Sequence, residues 1–242
     1  MPGLYKDEGI VLKAIKLGEA DRILTIYTRE NGKVRAVAKG IRKTKSRFGG
    51  RLEPFTRVQL QIYKGRNLDT ITSADILDHF QEVRRELHSL TSASALAELV
   101  EKITPERERA FSTYALLLEG LQALAGPGHG GGTVVPAFLV KLLSISGYHP
   151  ELRVCAGCGR EGGLGAFSAS MGGVICSSCW NEDPDAFRLA ADRLELLARL
   201  LRAEFGEVAE AQAVAEVTQV LRRYAEYHLE RPLRSLQLLR AV

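Results

Sequence analysis

The sequence predicts an α+β chain of several domains: an N-terminal five-stranded β-barrel, then an all-helical region that carries a four-cysteine module. Three observations lead there. Up to Ser73 apolar and polar residues alternate in short runs, and beyond it apolar residues recur at spacings of three and four. All four cysteines fall between residues 155 and 179, as two Cys-x-x-Cys pairs. Between Glu30 and Glu53 the chain carries eight basic side chains and no carboxylate.

At 242 residues, 45% hydrophobic and 26% charged, the chain can bury a core and has room for more than one domain. Candidate strands are Gly9–Ile15, Arg22–Thr28, Lys33–Lys39, Thr56–Tyr63 and Leu68–Ser73. Asn31-Gly32 joins the second to the third as a two-residue hairpin turn, because both residues tolerate positive φ. Lys64-Gly65-Arg66-Asn67 closes the next. In the fourth strand Val58, Leu60 and Ile62 share one face and Arg57, Gln59 and Gln61 the other. Five such strands in so short a stretch point to a small closed barrel of the OB type, whose strand-and-loop face binds oligonucleotides; other small five-stranded barrels share the pattern.

From Asp75 the period reads as helical, through Ile76, Leu77, Phe80, Val83, Leu87 and Leu90, then Leu96, Leu99, Val100 and Ile103. Thr104-Pro105 reads as the start of a new helix, with Thr as N-cap and Pro at the first helical position, ending near Ala125. Gly126 to Gly132 reads as a surface connection with a solvated His129, since no Gly-Lys-Ser or Gly-Lys-Thr follows it. Another helix runs from Thr133 through Ile145 and is capped by Gly147. Beyond Pro184 two amphipathic helices are expected over 186–205 and 211–229. Arg231-Pro232 breaks the second, and Ser235 to Leu239 docks on the helical core. The expected domains are an OB-fold over 1–79, a helical domain over 80–150 and 183–242, and a zinc module over 151–182.

The basic run comprises Lys33, Arg35, Lys39, Arg42, Lys43, Lys45, Arg47 and Arg51. In a strand, Lys33, Arg35, Val37 and Lys39 point one way while Val34, Ala36 and Ala38 pack; the charges then continue into a loop expected to be mobile. Residues 1–80 hold 16 Lys and Arg against 9 Asp and Glu, so a net charge of +4 conceals an N-terminal excess of +7. Such a surface suits phosphate and backbone contact, hence sequence-independent nucleic-acid binding. Few aromatics lie nearby: Phe48, Phe55 and Tyr63. Phe48 reads equally as a base-stacking ring and as a local anchor.

Cys155, Cys158, Cys176 and Cys179 have the spacing of a four-cysteine structural zinc site, in which Gly159 permits the tight turn. Disulfides or a redox pair are the competing readings, disfavoured by an expected cytoplasmic, reducing location. That location rests on the lack of any apolar run long enough to span a bilayer and of a secretory leader. Trp180 is expected to anchor the module on the helices, with stacking on a base as the competing reading. No Walker loop, His-Glu-x-x-His, paired carboxylates or nucleophile with a His partner is visible, so no enzymatic activity is expected.

Three segments carry a resemblance to the bacterial RecO recombination mediators: GIVLKAIKLGEADRILTIYTRENGKVRAVAKGIRKTKSRFGGRLEPF, FLVKLLSISGYHPELRVCAGCG and RPLRSLQLL. The resemblance implies an N-terminal OB-fold that binds single- and double-stranded DNA, and a zinc module within a helical domain. It also implies annealing of complementary strands and action with RecR to help RecA replace single-stranded-DNA-binding protein. From the residues alone, a helical groove rimmed by Arg193, Arg199, Arg202 and Arg223 could receive the acidic tail of that protein, while the same arginines read more simply as solvated helix faces. The alternative from the residues alone is an RNA- or ribosome-binding module, since barrel plus zinc knuckle also occurs in translation proteins.

Overall fold

The computed structural model describes residues 3–127 and 132–238, and the chain divides after Ala125 into two compact units. In the first, β1 (Leu4–Leu17), β2 (Asp21–Thr28), β3 (Gly32–Ala38), β4 (Arg57–Tyr63) and β5 (Asp69–Asp78) close a barrel in the order β1-β2-β3-β5-β4. Only the β3–β5 pair is parallel. The alternation read from sequence places Leu24, Ile26, Ala36, Ala38, Val58, Leu60, Ile62 and Ile71 in one buried core. This is the OB-type barrel that the sequence predicts.

The same unit holds α1 (Gln81–Arg85), α2 (Leu87–Ile103) and α3 (Phe111–Ala125). Helix does not begin at Asp75. Strand β5 continues to Asp78 because Asp75 and Ile76 pair with Gln59 and Val58 of β4, so the apolar spacing from Ile76 mixes strand and helix residues. Nor does Thr104 open a helix. Its N–H and Oγ1 both donate to the Val100 carbonyl, which ends α2, and the following residues run beside β3, where the Arg107 N–H meets the Lys33 carbonyl at 3.0 Å.

The β2–β3 connection also differs in detail from the expected two-residue turn. Thr28 pairs with Gly32, so the loop has three residues, Arg29 to Asn31, and Gly32 takes the left-handed φ of 62°. Buried Asp7 organises it: one carboxylate oxygen accepts from the Glu30 N–H at 3.2 Å and the other from Asn31 Nδ2 at 2.7 Å. A Cβ at Gly32 would lie 1.9 Å from the Glu108 carbonyl oxygen. The loop is thus closed on one side by a carboxylate and on the other by the segment leading to α3.

Lys33 is buried at this junction, and its ammonium donates to the carbonyls of Glu101, at 2.5 Å, and Thr104. These are carbonyls at the C-terminal end of α2, where the helix dipole favours a cation. Nearby, Arg107 pairs with the fully buried carboxylate of Asp69 at 2.9 Å, which also accepts from Tyr5 Oη at 2.7 Å. Burial, and then the bond to Asp69, raise the Tyr5 phenol above its ordinary value. Glu8 forms a second knot: burial alone would raise its carboxyl, but the bonds from Arg57, at 2.6 Å, and Tyr114 hold it below the ordinary value.

In the second unit α4 (Val134–Ile145) is followed by Gly147 at φ 89°, as expected for its cap. A small sheet, β7-β6-β8, comes next, formed by β6 (Leu164–Ser168), β7 (Gly173–Cys176) and β8 (Phe187–Arg188), with α5 (Ser177–Trp180) between β7 and β8. Because Phe187 and Arg188 pair with β6, the next helix, α6 (Ala191–Arg202), starts later than Ala186. Then α7 (Ala211–Leu229) matches its expected span, and α8 (Ser235–Leu238) follows, with Leu233 and Leu236 buried. His129 and Leu239 lie outside the described residues.

The Lys33 junction generates a paired prediction. Lys33→Met should destabilise the chain by about 1–3 kcal/mol, by leaving two helix-end carbonyls without their ammonium, and Gly32→Ala by more than about 1 kcal/mol through its φ and the Glu108 collision. Arg35→Met, two residues away and exposed, should stay within about 0.5 kcal/mol. Urea unfolding is the measurement; equal midpoints for Lys33→Met and Arg35→Met would contradict the assignment.

Candidate nucleic-acid interface and metal centre

Alternation along β3 sends Val34, Ala36 and Ala38 inward and leaves Arg35 exposed on the outer face, opposite Thr25 of β2. Lys39 follows the strand, also exposed. From there the chain does not become a loose extension. Ile41, Phe48 and Leu52 insert into the barrel core, the Gly40 N–H donates to Asp21 at 2.7 Å, and the Arg42 N–H donates to the Ala20 carbonyl at 3.0 Å. Seating three apolar side chains inside forces the intervening Arg42, Lys43, Lys45 and Arg47 outward, with Arg51 beside them.

Phe48 is 1% exposed and carries the Arg47 guanidinium 4.9 Å from its ring centre. It is therefore an anchor and offers no free face to a base. Phe55 is likewise buried, whereas Tyr63 is 47% exposed. The Arg42 guanidinium donates to the Gly18 and Glu19 carbonyls at 3.1 and 2.8 Å, and that of Arg51 to the Arg47 carbonyl at 2.5 Å. Among the described residues no carboxylate pairs with Arg35, Lys39, Arg42, Lys43, Lys45, Arg47 or Arg51; Glu53, which ends the run, pairs with Arg22 at 3.0 Å. Within that set, seven like charges thus lack a carboxylate counter-ion. A polyanion would supply one and release its own condensed cations.

Lys33 does not belong to this surface. It points to the same side of β3 as Arg35, but α2 ends above it and holds its ammonium. Charge is visible in sequence; the helix end above it is not. Conversely, Lys64 and Arg66 stand exposed at the β4–β5 turn, outside the basic run read from the sequence. Gly65 fixes that turn by donating to Asp69 at 3.1 Å, and a Cβ there would lie 1.9 Å from the Leu68 carbonyl oxygen. The sequence signal for these two cations is the Lys-Gly-Arg tip itself.

In the second unit the hairpin of β6 and β7 brings the two cysteine pairs together. The four Sγ atoms of Cys155, Cys158, Cys176 and Cys179 lie within 4.8 Å of one another, and none is in a disulfide. The Gly159 N–H donates to the Cys155 carbonyl at 2.7 Å with φ at 74°, as the tight turn requires. A Cβ at Gly157 would approach Cys179 Sγ at 3.0 Å, so this turn also needs glycine for space. Burial pushes the Cys155 thiol up, but N–H groups led by that of Cys176, at 3.3 Å, outweigh it and bring it to about 6. Cys176 is lowered chiefly by the Cys179 N–H, while hydrogen bonds to the Cys155 and Cys158 sulfurs push Cys179 up to about 12. Four thiols this close cannot all ionise without a cation among them. Tetrahedral zinc at about 2.3 Å from each sulfur sets S···S near ~3.8 Å, and Cys158 and Cys176 are 3.8 Å apart. The donor set fits a metal ion.

The module is anchored from both sides. Phe167 meets Tyr224 of α7 edge to face at 5.4 Å, and Trp180 packs on the cysteine cluster with Arg188 4.7 Å over its ring. The four arginines expected to rim a groove do not form one free surface. Arg193 pairs with Asp192, Glu216 and Glu210, Arg199 lies 3.7 Å from Glu207, and Arg223 sits 3.9 Å over the Phe187 ring. Arg202 is exposed.

Comparison with known proteins bears on both units. The family model described as recombination protein O N terminal matches residues 1–80, and recombination protein O C terminal matches residues 84–237. Relatives named DNA repair protein RecO include one from Bifidobacterium adolescentis, 42% identical over 98% of this chain and 99% of its own length. One from a Nocardioides species is 42% identical, covering 96% of this chain and 98% of the relative. A third, from Frankia casuarinae, is 43% identical over 96% and 97%.

Proposed function

The chain belongs to the RecO family of DNA repair proteins, and on that premise we propose that it is a non-enzymatic recombination mediator. In this reading it binds single- and double-stranded DNA through the barrel and anneals complementary strands. With RecR it assists RecA onto single strands coated by single-stranded-DNA-binding protein, whose acidic tail it also contacts. The observation that carries the reading is the group of Arg35, Lys39, Arg42, Lys43, Lys45, Arg47 and Arg51, of which the alternation of β3 turns Arg35 outward and the buried Ile41, Phe48 and Leu52 turn out the cations of the following loop. Residues 1–80 are thereby the DNA-binding part. Phosphate contact without aromatic stacking from Phe48 suits a protein that must act on any sequence.

Cys155, Cys158, Cys176 and Cys179 would hold a structural zinc ion. Four thiolates complete its shell and leave no position for substrate, so the ion would cross-link the β6–β7 hairpin to the Cys155 turn and stabilise the helical region. It would take no part in contacting DNA.

Two measurements test these assignments. Charge reversal at Arg35, Lys39 and Lys43 should weaken binding to oligonucleotides of any sequence and lower the log–log salt slope by about 0.7–0.9 for every phosphate that is no longer neutralised; an unchanged slope would remove the barrel from the account. Elemental analysis should find one zinc per chain, and none in a Cys155→Ser, Cys158→Ser variant. That variant should melt earlier yet keep the salt slope of the unaltered protein, and metal-free protein with unchanged melting would refute a structural ion.

A further inference from the structure

The outer face of the barrel carries a feature that phosphate contact does not use. The strand registers place Ile15 opposite Ile23 and Ile23 opposite Val37. Val37 lies beside Thr70, Thr70 opposite Tyr63, and Tyr63 opposite Leu4. Residues paired in this way share a face, with Cβ atoms about 4.5–5.5 Å apart in the antiparallel pairs. Their sequence neighbours Leu24, Ala36, Ala38, Ile62 and Ile71 are in the core, so this row points outward. Ile15, Tyr63 and Leu4 are 45%, 47% and 56% exposed, and the other three are half-buried. An apolar belt, interrupted by Thr70 between Val37 and Tyr63, therefore crosses the barrel wall.

On β3 this belt passes between cations. Arg35 and Lys39 stand two residues to either side of Val37, about 7 Å away along the strand, and neither has a carboxylate partner among the described residues. We propose that the belt receives the bases of a single strand while the flanking cations receive its phosphates, so that this face distinguishes a single strand from a duplex. The inference rests on the DNA-binding reading above. The arrangement favours this occupant on charge complementarity: an apolar protein surface would bury Arg35 and Lys39 unpaired, and a duplex presents phosphates but keeps its base faces stacked inside. A single strand offers both chemistries side by side, and apolar contact with base faces is indifferent to sequence.

The test uses the full chain and three probes of equal length at one salt concentration: a thymidine strand, an abasic strand and a duplex. Ile15→Thr with Tyr63→Thr removes the belt at two exposed positions while keeping β-forming residues. Arg35→Glu with Lys39→Glu removes the cations, and Tyr63→Leu serves as an apolar replacement. The unaltered protein should bind the thymidine strand more tightly than the abasic one. The belt variant should lose about tenfold on the thymidine strand and little on the other two, Tyr63→Leu should retain part of the preference, and charge reversal should weaken all three probes. If charge reversal acts but the belt variant keeps the thymidine-to-abasic ratio, the inference fails and the DNA-binding reading stands. A belt variant that instead changes the sedimentation of the protein with no change in that ratio assigns the belt to a second copy and also overturns it. If charge reversal leaves all three affinities intact, both readings fall.

Discussion

The first unit depends on a buried ammonium. Lys33 leaves water to bind two carbonyls at the end of α2, an arrangement that is stable only because those carbonyls have no partner in the helix and carry its negative pole. The contact joins the start of β3 to a helix that begins 54 residues later (Lys33 against Leu87). Two further bonds reinforce the seam, the Arg107 N–H to the Lys33 carbonyl and the Arg107 guanidinium to Asp69. Asp69 in turn holds Tyr5 and the Gly65 turn. One end of the barrel is thus covered by helix and sealed by compensated charges.

That seal determines where charge can remain uncompensated. At the covered start of β3 the cation has protein partners; beyond Lys33 the chain carries Arg35 and then Lys39 with no carboxylate partner among the described residues. The 41–52 segment extends the exposed charge by placing its apolar residues inside and its cations outside, so the rail is presented on an anchored loop. Positive charge concentrated on one unit both attracts a polyanion and makes the attraction depend on salt. The cysteine module is separate from this charge: its four sulfurs lie within 4.8 Å of one another, close enough to hold one metal ion.

Much of this is legible in the sequence, because the period of two survives wherever a strand buries one face and the Cys-x-x-Cys spacing needs only local geometry. What is hidden has tertiary causes. The first half of β1 does not read as strand, since Asp7 and Glu8 are polar yet satisfied inside the fold. Ile76 and Leu77 mimic a helical period while lying exposed in β5. Thr104-Pro105 carries the signature of a helix start, but the Lys33 ammonium and the β3 edge draw that segment into an extended path. Lys33 and Arg35 are indistinguishable in sequence, and so are the orientations of Phe48 and Tyr63; which of each pair faces solvent is set by what packs above it.

The most direct test of the account is the rate at which two complementary oligonucleotides, each coated with single-stranded-DNA-binding protein, anneal without added nucleotide. The unaltered protein should accelerate annealing, and charge reversal at Arg35 and Lys39 should abolish the acceleration while leaving the melting temperature unchanged. Tight DNA binding without any acceleration would contradict a mediator and reduce the barrel to a general nucleic-acid-binding surface.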